Sequence, residues 1–434
     1  MTGSNVPSPL MPQSPSNMNL PSPAKTKSQS LAVRKSISRT SEPEQKRKPA
    51  LAPEYDMAEL FNEQTRSKYV KGLLLFLVLS LANTKVNVGE KLGSGTYADV
   101  FKGTLRSDPS KIFAIKKFKI DPNQLRDGIN VDTIREIKYL QEISHPTIVA
   151  LYDIFSSKDE QINMVIEFCP NGSLEDLLRD KAVQYGAAEI KAWMSMLCRA
   201  VYYCHSHFIL HRDIKPGNLL IAANGEVKLA DFGLARYFAE PGSPMTTNVV
   251  TLWYRSPELL FGSQHYGGCV DIWSCGVVMA DLIMRRPFLP SIFDDKEITT
   301  GGEIAQIETI CTALGTPNED VWPGVSKLRG WFAPSKQLPP RDRIWFRQQF
   351  ATVGPSGADL IANMLKFDPR KRATARSALE HEYWAAEPRP VPVDRLPKKG
   401  GGAKNAAAEQ TKVPGELNER FKGVAKKLDF SAFK

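Results

Sequence analysis

The stretch His211-Arg212-Asp213-Ile214-Lys215-Pro216-Gly217-Asn218, followed thirteen residues after Asn218 by Asp231-Phe232-Gly233 and later by Ser256-Pro257-Glu258, decides the reading of this 434-residue chain. Its polar members have distinct chemistry. Asp213 can accept the proton of an attacking hydroxyl, Lys215 can steady charge on a phosphoryl group in transit, and Asn218 offers an amide oxygen to a metal. Asp231 is a hard oxygen ligand of the kind that holds Mg2+ against phosphates. One such tripeptide is common by chance; the full set in this order and spacing is expected by chance in well under about one chain in a hundred.

Working outward, Gly93-Ser94-Gly95-Thr96-Tyr97-Ala98-Asp99-Val100 forms a GxGxxAxV turn between two strand-like stretches. Glycines let backbone amides approach phosphate oxygens with no Cβ in the way. Alone, this string describes a structural hairpin turn equally well, and Ala98 stands where a third glycine is usual. Ala114-Ile115-Lys116 then places a lysine inside an apolar strand, where an unpaired ammonium is costly. Glu136, in the helical stretch VDTIREIKYL, is its natural partner. Without the downstream set, an exposed edge lysine would serve as well.

Composition places limits on the rest. Lys and Arg total 57 against 47 Asp and Glu, a net +10 that raises nucleic acid or an anionic surface as a partner. Residues 1–53 hold eight basic residues against two acidic ones, and residues 388–434 hold eleven against five. Each end carries +6 and the middle −2, so the basic character belongs to the ends. The 42% hydrophobic content excludes global disorder and a polytopic membrane protein. Six cysteines with no CxxC pair suggest neither a disulfide framework nor a zinc site.

Nine Pro and ten Ser in residues 1–53 predict an arm that cannot bury enough surface to order itself, extending to about residue 66. Gly72 to Ala82 (GLLLFLVLSLA) is the most apolar run, but its 11 residues are too few for a membrane span, which needs roughly 20. Deleting Leu73 to Gly89 would join KYVKG directly to EKLGSG, an uninterrupted strand into the glycine turn. That clean join predicts a retained intron, which a tryptic peptide spanning Leu73 to Lys85 would refute. From about residue 86 to 387 the chain alternates short β-rich pieces (VNVGEKL, DVFKGTL, KIFAIKKFKI, INMVIEF) and then helical periodicity (AEIKAWMSMLCRAVYYCHSH, VDIWSCGVVMADLIM, GADLIANML). The expected fold class is α+β, a small mostly β unit over about 86–168 and a larger mostly α unit over about 169–387. Residues 388–434 read as a basic tail. The segment SIFDDKEITT, with Gly301 and Gly302, reads as an insertion or a second gene-model error.

Residues Glu90 to Trp384 resemble a eukaryotic protein kinase, departing from it at Ala98 and at Ser256, where APE would have its first Ala. Within that family NVDTIREIKYLQE and VVTLWYRSPELLFG resemble the cyclin-dependent group. Segments IKAWMSM, CHSHFILHRDIKP and PFLP bring the chain nearest to the fungal TFIIH-associated kinases, with a cell-cycle member as nearest rival. The resemblance implies a bilobal, cyclin-dependent Ser/Thr kinase that phosphorylates the RNA polymerase II C-terminal repeats and activates other cyclin-dependent kinases. It implies ATP and Mg2+ as cofactors, with Lys116, Glu136, Asp213 and Lys215 catalytic and Asn218 and Asp231 on the metal. The nucleotide would lie among Leu92, Gly93, Ser94, Gly95, Thr96 and Tyr97, then Val100, Ala114 and Leu220. Ile166 would sit behind the adenine, and the backbones of Glu167 and Cys169 would make the hinge contacts.

Further expectations follow from the same likeness. Phosphate on Thr246, with Thr247 as the fallback, would bridge Arg135, Arg212 and Arg236 and order its loop. Val250 and Arg255 would shape a pocket preferring Pro after the target residue. Asp271 would brace the catalytic loop, and Arg372 would pair with Glu258. The absence of TxY argues against a MAP kinase. Expected partners are a cyclin of the H type on the helix bearing Glu136, an assembly factor and the TFIIH core, with nucleic acid contacted only indirectly, no membrane, and a nuclear location. The rival from another class is a catalytically weak cyclin-binding scaffold.

Overall fold

The structure, a computed structural model, describes residues 86–95, 98–119, 131–156, 161–238, 252–291 and 300–398. Five strands, Val86–Ser94 (β1), Ala98–Leu105 (β2), Asp108–Phe118 (β3), Leu151–Ser156 (β4) and Ile162–Glu167 (β5), form an antiparallel sheet in the order β1-β2-β3-β5-β4. Side chains alternate across a strand, so register decides what each face carries. Pairing Val100 with Lys116, Ala114 with Ile166 and Lys116 with Met164 puts these residues on one face. On the other face Phe113, Ile115 and Val165 pack with Val86 and Phe155 in a small separate cluster. The apolar run of β3 therefore serves two layers, and Lys116 is the polar exception on the inner one.

Helix α1 (Val131–Glu142) covers that inner face, where Ile137, Tyr139 and Leu140 join Phe118 and Met164 in the main core. β4 escaped the sequence reading for a local reason. The ladder to β5 shifts register between Leu151 and Asp153, and this irregularity destroys the period-two pattern that marks a strand. Of the segment proposed to be intron-derived, Val86 to Gly89 lie within β1, with Val86 opposite Leu105 and Val88 opposite Gly103; residues 73–85 fall outside the described residues.

The larger unit is helical: α2 (Leu174–Arg179), α3 (Ala187–Ser206), α4 (Pro257–Leu260), α5 (Cys269–Met284), α6 (Thr300–Leu314), α7 (Arg343–Gln349), α8 (Gly354–Met364) and α9 (Ala375–Leu379). Two short antiparallel ladders, β6 (Ile209–Leu210) with β9 (Arg236–Tyr237) and β7 (Leu219–Ile221) with β8 (Val227–Leu229), carry the loops between them. The six-residue α2 is too short for periodicity to reveal. A capping box starts it, with Ser173 Oγ accepting from Asp176 N and Asp176 Oδ2 accepting from Ser173 N at 2.8 Å. α5 is the central post, buried from Val270 through Leu282. Arg372 grips Glu258 at 2.7 and 2.9 Å through two guanidinium nitrogens, tying α4 to the turn before α9 as expected. Among the described residues no helix is long and apolar enough to cross a membrane.

The expected start of the tail at residue 388 needs correction. Residues 386–398 form a strap on the helical unit. Val391 N donates to Ala188 O at 3.3 Å, Lys191 Nζ to Ala386 O at 2.7 Å, and Leu396 is 3% exposed within the main core. Proline-rich composition suggested a solvated segment. Its single leucine decides otherwise, because one apolar anchor with a few backbone bonds suffices to dock an extended chain. Residues 399–434, and the arm over 1–66, fall outside the described residues.

Candidate active site

The site forms where the inner sheet face, α1 and the loops of the helical unit converge. Lys116 Nζ lies 2.7 and 2.8 Å from the two carboxylate oxygens of Glu136 and 3.0 Å from Asp231 Oδ1. Burial alone would favour the neutral amine, but the carboxylates of Glu136 and Asp231 outweigh it and hold the Lys116 pKa above the ordinary lysine value. Burial likewise pushes the Asp231 carboxyl up, and Lys116 more than reverses this, leaving it below the usual range. The lysine is thus a fixed cation and Asp231 a fixed anion at neutral pH.

A second cluster surrounds Asp213. Its Oδ2 accepts from Asn218 Nδ2 at 2.8 Å and pairs with Lys215 Nζ at 2.9 Å, while its backbone oxygen also accepts from Asn218 Nδ2. With Nδ2 committed, Asn218 keeps its amide oxygen for a ligand. His211 joins the two clusters, a role the sequence reading missed. Its Nδ1 accepts from Asp213 N at 3.2 Å and its Nε2 bonds Ala230 O, the residue before Asp231, at 3.1 Å. Burial holds this imidazole below its ordinary pKa, so it stays neutral with the proton on Nε2.

Asp271, at the start of α5, supports the loop from beneath. It accepts from His211 N at 3.0 Å, Arg212 N at 2.9 Å and His205 Nε2 at 2.9 Å. Burial alone would raise its pKa; the bond from His205 and the charge around it keep it depressed and ionised. Arg212 (φ 63°) and Asp231 (φ 66°) both occupy the left-handed region.

The glycine turn is tied down by charge. Asp99 Oδ1 accepts from Ser94 Oγ at 2.6 Å, and Asp99 pairs with Lys91 at 2.9 Å and Lys119 at 3.2 Å. Lys119 Nζ also donates to Gly95 O at 2.7 Å. Gly93 pairs with Val100, and Leu92 is 44% exposed at the rim. Leu220 lies on β7, bridged to Ser173. At the end of β5, Glu167 Oε1 meets Lys228 Nζ at 2.9 Å, and Glu167 N donates to Ala150 O. Cys169 is half-buried, and burial pushes its thiol up to about 12.

Arg135 and Arg212 lie close enough to Arg236 that, after burial, their charges are the main causes lowering its pKa. Arg135 NH1 also pairs with Asp132 at 2.9 Å. Of the two residues expected to shape a pocket for the residue after the target, Arg255 is described. It is fully buried, with NH1 on Glu303 Oε1 at 2.7 Å. Thr96, Tyr97, Thr246, Thr247 and Val250 lie outside the described residues. The residues brought together can grip an anion from one side and orient a hydroxyl from the other.

The protein kinase domain model matches residues 86–384. The chain is 43% identical over 308 residues to the serine/threonine-protein kinase KIN28 of Saccharomyces cerevisiae, spanning 71% of this chain and 96% of that protein. It is 39% identical over 347 residues to cyclin-dependent kinase 7 of Xenopus laevis, spanning 78% and 94%. Among solved structures, a chain of the CAK complex of Chaetomium thermophilum bound to ATP-gamma-S superposes with a TM-score of 0.68 at 50% identity, over 78% of this chain and 99% of that one.

Proposed function

Because this chain belongs to the protein kinase family, as a cyclin-dependent serine/threonine kinase of the KIN28 and cyclin-dependent kinase 7 type, we propose that it transfers the γ-phosphoryl group of ATP to Ser or Thr followed by Pro. The observation that carries the assignment of residues is the shared cation: Lys116 holds both Glu136 and Asp231 within 3.0 Å. Lys116 fixes the α and β phosphates, Asp213 orients the substrate hydroxyl and takes its proton, and Lys215 offsets charge on the transferred group. The glycine turn covers the phosphates, and the backbones of Glu167 and Cys169 hold the adenine in front of Ile166.

The Asp231 carboxylate and the Asn218 amide oxygen are hard donors that fit Mg2+ and would hold it. When bound, it would offset the negative charge of the nucleotide. A cyclin of the H type packs on α1, with an assembly factor and the TFIIH core as further partners. The substrates are the RNA polymerase II C-terminal repeats and other cyclin-dependent kinases, and the location is nuclear. Thr246 is the activating phosphosite. Supporting this, three arginines that repel one another gain a shared counter-ion from a phosphate of nearly two negative charges.

Asp213→Asn in the purified complex is expected to lower kcat by about 10²- to 10⁴-fold while leaving ATP affinity unchanged. Retained full activity would reject the role given to Asp213. Recovery of TFIIH subunits with the chain from its native host, and activity on polymerase repeats, tests the partner and substrate; recovery of a mitotic cyclin alone would overturn them.

A further inference from the structure

Tyr237 ends β9, six residues past Asp231, and four contacts fasten it to the last turn and a half of α1. Its phenol O–H donates to the Glu142 carboxylate. Its backbone N–H donates to Tyr139 Oη at 3.1 Å. Its ring meets the Tyr139 ring edge-on at 5.1 Å between centroids, and Lys138 Nζ lies 5.0 Å from its centroid. Edge-to-face pairs and cation–π contacts are attractive and directional, so together they fix rotation as well as distance. Tyr139 is 3% exposed in the main core and supplies a firm seat.

Glu136 lies on the same helix, from about half a turn to about a turn and two-thirds before Lys138 to Glu142. A rigid helix transmits a rotation along its length: turning α1 to release Tyr237 would also swing Glu136 away from Lys116. The Lys116 ammonium is held at once by α1, through Glu136, and by the segment starting at Asp231. Tyr237 ties those same two parts together a second time, farther along each. Two separated ties between the same bodies define an orientation that one tie leaves free. Phenylalanine here would keep the ring contacts and lose the bond to Glu142; alanine would lose both.

We propose that Tyr237 is a positioning residue that clamps α1 to the segment after Asp231-Phe232-Gly233 and so keeps Glu136 on Lys116 for phosphoryl transfer. The proposal rests on the kinase reading of this site. Burial, and then the neighbouring Glu142 carboxylate, keep the phenol protonated well past neutral pH, so the donor persists throughout the working range.

The test uses the full-length chain co-purified with its native partners, measuring kcat, KM for peptide, thermal midpoint, and hydrogen exchange of residues 131–142. Tyr237→Phe is expected to lower kcat about threefold and Tyr237→Ala about tenfold, the latter being the factor that 1.4 kcal/mol represents. Peptide KM and thermal midpoint should stay unchanged and exchange in α1 should rise. Glu142→Ala should match the loss in Tyr237→Phe, and the double variant should be no worse than either single one. Unchanged kcat in both tyrosine variants, additive losses in the double variant, or a fall in thermal midpoint without faster exchange in α1 would each overturn the proposal. An unmodified chain without kinase activity would instead reject the kinase reading.

Discussion

At the scale of single residues, a charge inside a strand is a question about its partner. That rule found Glu136 for Lys116, and the structure brings them to 2.7 Å. The same rule applies to Lys228, which lies in β8 and is 7% exposed; its partners are Glu167, at the end of β5, at 2.9 Å and Glu226 at 3.3 Å. Lys228→Met removes the cation that the partly exposed Glu167 and Glu226 carboxylates share. The expected cost is about 1–3 kcal/mol of folding free energy by urea denaturation, with a several-fold rise in ATP KM because Glu167 begins the segment given to the adenine. Wild-type stability in that variant would show that the pair is not needed. The residues that the structure brings together around Lys116 and Asp213 were legible because they stand in short, spaced motifs. The environment of Arg255 was not, since spacing cannot tell a guanidinium that faces solvent from one that is buried on Glu303 of α6, 48 residues away.

At the scale of elements, long periodic helices and strands were legible, and short or irregular ones were not. α3, α5 and α8 repeat their apolar faces often enough to be read, whereas α2 depends on a cap and β4 on an irregular ladder. Within α5, Asp281 illustrates a buried acid that no pattern reveals. Its Oδ2 accepts from Tyr254 Oη at 2.8 Å and its Oδ1 from Phe288 N at 2.7 Å, yet burial dominates and pushes its pKa from 3.8 up to about 7. Below pH 3.8 both folded and unfolded chains hold this proton. As pH rises toward 7 the unfolded chain releases it first, so stability falls across that window and then levels off. Asp281→Asn keeps the neutral acid's shape and should flatten the decline. Above pH 7 the variant should be more stable by up to about 4 kcal/mol, since each unit is worth about 1.36 kcal/mol. Thermal midpoints at pH 5 and pH 8 check this, and parallel curves for the two proteins would refute it.

At the scale of the whole molecule, the division into a sheet unit and a helical unit was visible in the change of period along the chain. The docking of residues 386–398 was not, because a single buried leucine in a proline-rich stretch leaves no periodic trace. Relative to truncation after Lys398, truncation after Glu387 should lower the thermal midpoint by roughly 5–10 °C, as expected for losing one core side chain and its backbone anchors. Equal midpoints for the two truncations would mean that the strap contributes nothing. A different vulnerability lies in the loop seated on α5. Left-handed backbone at Arg212 and Asp231 disfavours each non-glycine residue by roughly 1–2 kcal/mol, and at Arg212 the Asp271 carboxylate, which accepts the Arg212 amide, helps offset that cost. Changes at Asp271 should lower activity and abundance together, because they release the loop and also orphan the buried His211 and Arg212 amides, so an abundance assay and an activity assay should both score them harmful.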